Sequence, residues 1–348
     1  MAKPESAPVT SVTMEDVARV AGVSRMTVSR ALRENSPISE KTRARILAVV
    51  RELNYVPDQM AGSLTTRKSG FVAALLPSLN NLHFALTVQA LTQELETAGL
   101  QILLGHTEYS AEREERLVES LLRRRPEAMV LSYDGHTERT VELLKDIQIP
   151  IVEIWELPEQ SLDNAVGFSN FEAAREMTDA LIDEGFQRIT FLGEAHDDWT
   201  RGAARRRGFA HAMQNRGLDA SRVLQHGVPP LSIESGADAV DAILATFPDT
   251  DCVFCVSDAA AFGVQSELLR RGMRVPRDLS VAGFGDFEVS RFASPNISTV
   301  VVDPERIGAE TGRMINRMLS DETGLLRARE RIDIGVRIAL RDSTARAD

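Results

Sequence analysis

Two sets of residues in this 348-residue chain have types and spacings suited to chemistry. The first is Ser24-Arg25-Met26-Thr27-Val28-Ser29-Arg30-Ala31-Leu32. Val28, Ala31 and Leu32 recur at helical spacing and leave Arg25, Met26, Ser29 and Arg30 on the opposite face. Arginines and short hydroxyl side chains on one helix face can meet phosphates and base edges, so Arg25, Thr27 and Arg30 are the expected contacts. Met26 lacks a strong hydrogen-bonding code but can meet a thymine methyl. The second set closes apolar runs: His83-Phe84 after the run 71–76, and Glu153, Trp155 and Glu156 at the end of 151–155. A ring beside carboxylates can stack on a polyol and accept its hydroxyl protons.

A reading helix needs a scaffold. Val17, Ala18 and Ala21 mark a preceding helix, Gly22 supplies a tight turn, and Ser24 stands where a cap is wanted. A third helix begins at Ser39, carries Ile46, Val49, Val50 and Leu53 inward, and is expected to stop at Pro57. This predicts an all-α helix-turn-helix head over 12–57, after a polar, disordered lead-in at 1–11. Residues 58–68 read as a hinge, too short and Gly-containing to be a stable helix alone. The whole chain carries a net charge of −11, which taken alone argues against nucleic acid. Residues 1–69, however, hold eleven Lys/Arg against seven Asp/Glu, so the head is basic and the body acidic. An acidic body repels DNA and confines contact to the head.

From Ser69 onward short apolar runs alternate with amphipathic helices. Runs at 71–76, 100–104, 129–132 and 151–155 are interleaved with helical patterns at 85–98, 112–124 and 137–145. A second half repeats the scheme with runs at 189–192, 252–256, 280–283 and 299–302. Strands this continuously apolar indicate parallel sheets covered on both faces, hence an α/β body of two doubly wound lobes. Neither a membrane-length apolar run nor a signal-peptide core is present, which sets the expectation of a cytoplasmic protein. The two cysteines, Cys252 and Cys255, fall within one buried strand and point to opposite faces, so neither a metal site nor a disulfide framework is expected. No nucleophile elbow, His-Glu-x-x-His or phosphate loop occurs, and Gly283-x-Gly285 lacks a third glycine. No catalytic residue, metal or cofactor is therefore expected.

The words Asp16-Val17-Ala18, Ala21-Gly22-Val23-Ser24, Thr27-Val28-Ser29-Arg30, Lys41-Thr42-Arg43 and Leu53-Asn54-Tyr55-Val56-Pro57 stand in one register. Together they resemble the LacI/GalR family of bacterial repressors. The resemblance implies contacts with double-stranded operator DNA from Thr13, Met14, Ser24, Arg25, Met26, Thr27, Ser29, Arg30, Arg33, Ser39, Thr42 and Tyr55. It adds Ala61 and Leu64 in the hinge, Leu64 as the wedge that kinks the central step. It implies a periplasmic-binding-protein-like body with lobe 1 at 69–168 plus a return segment at about 299–345, and lobe 2 at 169–298. It places a ligand-clamping arginine at Arg205, three residues before Gly208-Phe209, and a strand-end acid at Asp258, which could equally cap the next helix.

Where the family shows Gly-Tyr/Phe-Asp-Asp, this chain has Gly283-Phe284-Gly285-Asp286, so the first acid is missing and Asp286 alone remains as a candidate. Losing that charge while keeping Arg205 favours an anionic ligand. The segments Leu75-Leu76-Pro77-Ser78-Leu79 and 165–175 resemble the gluconate-operon repressor branch, which implies a sugar acid as effector. The expected effector set is thus His83, Phe84, Glu153, Trp155, Arg205, Asp258 and Asp286. The expectation is a homodimeric repressor of sugar-acid catabolism, cytoplasmic and nucleoid-associated when on its operator, released by its effector. The alternative on the same scaffold is a regulator answering to a neutral sugar or nucleobase, with the ligand acting as corepressor.

Overall fold

The computed structural model describes residues 12–32, 36–56, 69–132, 135–195, 200–321 and 329–345. The lead-in 1–11, the hinge 58–68 and the candidate contacts Arg33, Ala61 and Leu64 lie outside them. The chain divides into two compact units, Met1–Ser69 and Gly70–Asp348.

In the first unit, helices α1 (Met14–Ala21), α2 (Arg25–Ala31) and α3 (Glu40–Glu52) each begin on a hydroxyl cap. Thr13 accepts from the Asp16 N–H, Ser24 from Thr27 and Ser39 from Thr42. Gly22 ends α1 in the left-handed region at φ 64, the conformation that turns α2 across it. Val17, Val28 and Ile46 are fully buried, with Ala18, Ala21, Ala31, Val49 and Tyr55 completing the core. Arg43 donates to the Ala31 and Ser36 carbonyls, tying the start of α3 to the end of α2. Pro57 is not what stops α3. The helix closes at Glu52, and Asn54 turns left-handed at φ 49, five and three residues before the proline.

The second unit holds two sheets. The first contains β1 (Phe71–Leu76), β2 (Gln101–His106), β3 (Ala128–Ser132), β4 (Ile151–Ile154), β5 (Asn164–Gly167) and β11 (Arg331–Asp333). Their order is β11-β5-β4-β3-β1-β2, all parallel. The second contains β6 (Ile189–Gly193), β7 (Val223–Gln225), β8 (Cys252–Cys255), β9 (Ser280–Gly285), β10 (Ser298–Val301) and β12 (Arg337–Ala339). Its order is β12-β10-β9-β8-β6-β7, parallel except for β12. In each sheet the first strand, β1 or β6, lies inside, with the next two strands on either side. Successive connections therefore leave in opposite directions and open a crevice at the carboxyl ends.

The registers correct the expected return segment. Residues 298–301 and 337–339 pair within the second sheet, and among the described residues only helix α12 (Pro304–Ser320) and β11 go back to the first lobe. There α12 lies against α4 (Leu82–Glu96) so closely that a Cβ on Gly308 would fall 2.1 Å from the Thr87 carbonyl. The same device fixes α8 (Arg201–Asn215) on α7 (Asn170–Asp183), where a Cβ on Gly208 would meet the Phe171 carbonyl at 2.1 Å. Cys252 and Cys255 are fully buried on β8, and burial pushes the Cys255 thiol up. No helix among the described residues is long and apolar enough to cross a membrane.

Candidate functional site

On the head, the outer face of α2 presents Arg25, Arg30 and Met26, the last 64 % exposed, with Ser29 and Thr27 half-buried. The hydroxyls of Ser24 and Thr27 face each other at 2.8 Å, as do those of Ser39 and Thr42. These four side chains, with Thr13, shape the helix starts that present the face. The Thr13 hydrogen bond and Arg19 hold the Asp16 carboxyl down at about 2, so this cap is ionised at any working pH. Two expected contacts also pack on the core of the head. Tyr55 is 8 % exposed, and Met14, the first residue of α1, packs half-buried against the same cluster.

In the body, a cavity of about 320 Å³ lies at the carboxyl ends of β1, β6, β8 and β9. Its walls bring together His83, Phe84, Trp155 and Arg205 from the expected set. Thr200 caps α8, and the i,i+4 spacing of Arg201 and Arg205 turns both toward the cavity. Arg205 donates through Nε to Asn170 Oδ1 at 2.8 Å and through Nη1 to the Val256 carbonyl at 2.7 Å. Its guanidinium lies 3.7 Å from the Phe284 ring centroid. Asn170 in turn donates to the Trp155 carbonyl and to Glu156, which anchors the arginine from behind. Burial and the neighbouring Arg201 lower Arg205 to about 10, which leaves it cationic near neutrality. A fork held on two sides and stacked on a ring is preorganised for a carboxylate.

The opposite wall is aromatic. The His83 ring stacks on Phe287 at 3.8 Å and on Trp155 at 5.8 Å, and Phe84 meets Trp155 edge-on at 5.4 Å. Burial and Arg205 lower His83 to about 4, so it is a neutral ring here and not a second cation. Sequence reasoning missed Arg201, which donates to Ser132 Oγ at 3.0 Å and lies over Phe84 at 5.3 Å. Its spacing of four from Arg205 was the available signal. Tyr109, Glu194, Phe284 and Phe287 also line the cavity, and they come together only through the fold.

Three expected ligand groups are structural. Trp155 sits at φ 73, which breaks strand alternation and puts Trp155 on the cavity side while Glu153 points through the other face of β4. There Glu153 accepts from the Leu162 N–H and meets His136 Nε2 at 3.3 Å. Asp258 is fully buried, accepting from Thr299 Oγ1 at 2.6 Å and the Phe287 N–H at 2.7 Å, and burial raises it to about 6. Ser257, not Asp258, caps the following helix. Asp286 pairs with Arg291 at 2.8 Å and Arg341 at 2.5 Å. Burial would raise its pKa, but those two arginines prevail and lower it.

His136 lies between Glu114, at 2.5 Å, and Glu153. Burial disfavours its charge, but the hydrogen bonds to both carboxylates outweigh that and raise it to about 10. Between the ordinary value of 6.5 and about 10, the folded chain keeps a proton that the unfolded chain releases. The cluster's stabilisation is therefore whole below pH 6.5 and is lost as pH rises through 10. Thermal melts between pH 6.5 and 10 should show a falling Tm that is flatter in His136→Gln. Parallel slopes in the two proteins would refute the titration.

Residues 13–58 match the model of bacterial regulatory proteins of the lacI family, and 178–344 that of a periplasmic binding protein-like domain. The HTH-type transcriptional regulator GntR of Escherichia coli (strain K12) is 34 % identical over 85 % of this chain and 88 % of its own. The HTH-type transcriptional regulator IdnR of the same strain is 31 % identical, over 87 % and 91 %. A crystal structure of a LacI family transcriptional regulator from Silicibacter pomeroyi superposes with a TM-score of 0.75 at 58 % identity, over 79 % of this chain and 98 % of that one. Among these relatives the named role is transcriptional regulation and not catalysis. With a reading helix on its head and an effector cavity between two parallel-sheet lobes, the chain belongs to the LacI family of DNA-binding transcriptional regulators.

Proposed function

We propose that this regulator represses sugar-acid catabolism, of the gluconate type, and leaves its operator when a sugar acid occupies the cavity. The observation that carries the reading is Arg205, a half-buried fork bound to Asn170 and Val256 and stacked on Phe284, with Arg201 one turn away. A neutral sugar does not require such a charge, and the aromatic wall supplies surface for its carbon chain. The relatives named GntR and IdnR support the same direction.

The protein acts in the cytoplasm as a homodimer on a pseudo-palindromic operator, since one small head buries too little surface for tight specific binding. Ligand favours closure of the two lobes. Closure repositions the first lobes of the dimer, to which the heads are tethered, and each head then loses the effective concentration that its tether supplied. By linkage, operator weakens ligand binding by the same factor that ligand weakens operator binding, a coupling of about 1–3 kcal/mol.

The test is operator titration of the purified protein with and without gluconate, beside thermal shift with gluconate, glucose and ribose. The expected result is stabilisation by gluconate and weaker operator binding in its presence. Glucose or ribose stabilising more than any sugar acid would overturn the effector class. Tighter operator binding with gluconate would make it a corepressor.

A further inference from the structure

Two polar atoms in the cavity wall make no hydrogen bond among the described residues: Oε2 of Glu194 and Nε1 of Trp155, both buried. Trp155 as a whole is only 4 % exposed. Glu194 directly follows β6 and rests on the first turn of α8, where a Cβ on Gly202 would fall 2.1 Å from its Oε1. That same turn carries Arg201, and the charge of Glu194 acts on Arg205 in the direction that retains its proton. A fold gains nothing from burying an unpaired acceptor and an unpaired donor, so both atoms answer to something that enters the cavity.

We propose that Glu194 and Trp155 form a hydroxyl-reading subsite that admits a singly charged sugar acid and rejects a doubly charged one; this rests on the sugar-acid reading above. The ligand's carboxylate takes the Arg205 fork, one hydroxyl donates to Glu194 Oε2, and another accepts from Trp155 Nε1. An ionised carboxylate can only accept, so Glu194 selects for a hydroxyl and against a second carboxylate or a phosphate. Among the described lining residues Arg205 presents one fork, which suits one carboxylate, and Glu194 adds an acceptor and no donor. In about 320 Å³ a second anionic group cannot leave the field of Glu194.

The experiment compares gluconate with glucarate, its dicarboxylate of equal chain length, by calorimetry on the full chain. The wild type should prefer gluconate by tenfold or more. Glu194→Gln keeps the shape against Gly202 and an amide oxygen for the hydroxyl, but removes the charge, and should close that gap to about threefold. Trp155→Phe should weaken both acids by about three- to tenfold without changing their ratio. A wild type that binds both acids equally, or an unchanged ratio in Glu194→Gln, overturns the inference while leaving the sugar-acid reading standing. A wild type that binds neither acid removes that reading, and this inference with it.

Discussion

Arg205→Ala should abolish the response to gluconate while leaving operator binding intact. The side chain is the cavity's fixed cation, bound through Nε and Nη1 and stacked on Phe284, so its loss strands a ligand carboxylate in a partly buried site. Truncating one partner of such a pair costs about 2–5 kcal/mol, which is roughly 30-fold or more in affinity. Arg205→Lys should recover little, because an ammonium cannot hold Asn170 and Val256 and also present a planar fork. Calorimetry with gluconate, and operator titration with and without it, read the two effects separately. Gluconate binding within threefold of wild type in Arg205→Ala would contradict the assigned role.

Arg30→Ala should cost specific operator binding about 1–3 kcal/mol for each head, and a dimer loses the contact twice. Arg30 is exposed on α2 and alanine is the best helix former, so the head itself should stay folded. The neighbouring Val28 gives the contrast. It is fully buried in the core of the head, and Val28→Ala should act through stability and not through groove contact. Footprinting on a symmetric site, together with the salt dependence of binding, separates base reading from phosphate attraction. Wild-type affinity in Arg30→Ala, or no symmetric protection by the native protein, would remove the reading helix from its role.

The head was legible in the sequence because its information is local. Caps at Ser24 and Ser39, the Gly22 turn and the apolar spacing of Val17, Val28 and Ile46 each act within one or two helical turns, and the structure keeps every one of them. The alternation of apolar runs with helices likewise announced two parallel-sheet lobes, since strands buried on both faces cannot hide that pattern. His83, Phe84 and Trp155 could be chosen because strand ends at a parallel sheet's crevice are predictable places, and Arg205 because the family resemblance places an arginine three residues before Gly208-Phe209. What lay beyond the sequence was the direction of individual side chains and the partners that reach them from far along the chain. Alternation leaves Glu153 on the back of the sheet with Ile151 while one left-handed residue, Trp155, turns to the cavity side, and no spacing rule marks a residue that takes φ 73. Asp258 and Asp286 look like strand-end ligands until Thr299, Arg291 and Arg341 arrive to occupy them. The return of α12 and β11 to the first lobe, with β10 and β12 staying in the second, is decided by the pairing of β11 with a strand more than a hundred residues earlier and of β12 with one up to forty residues earlier. Local chemistry wrote the elements and the reading face; only long-range packing decided which acids face the cavity and which are consumed in holding the lobes together.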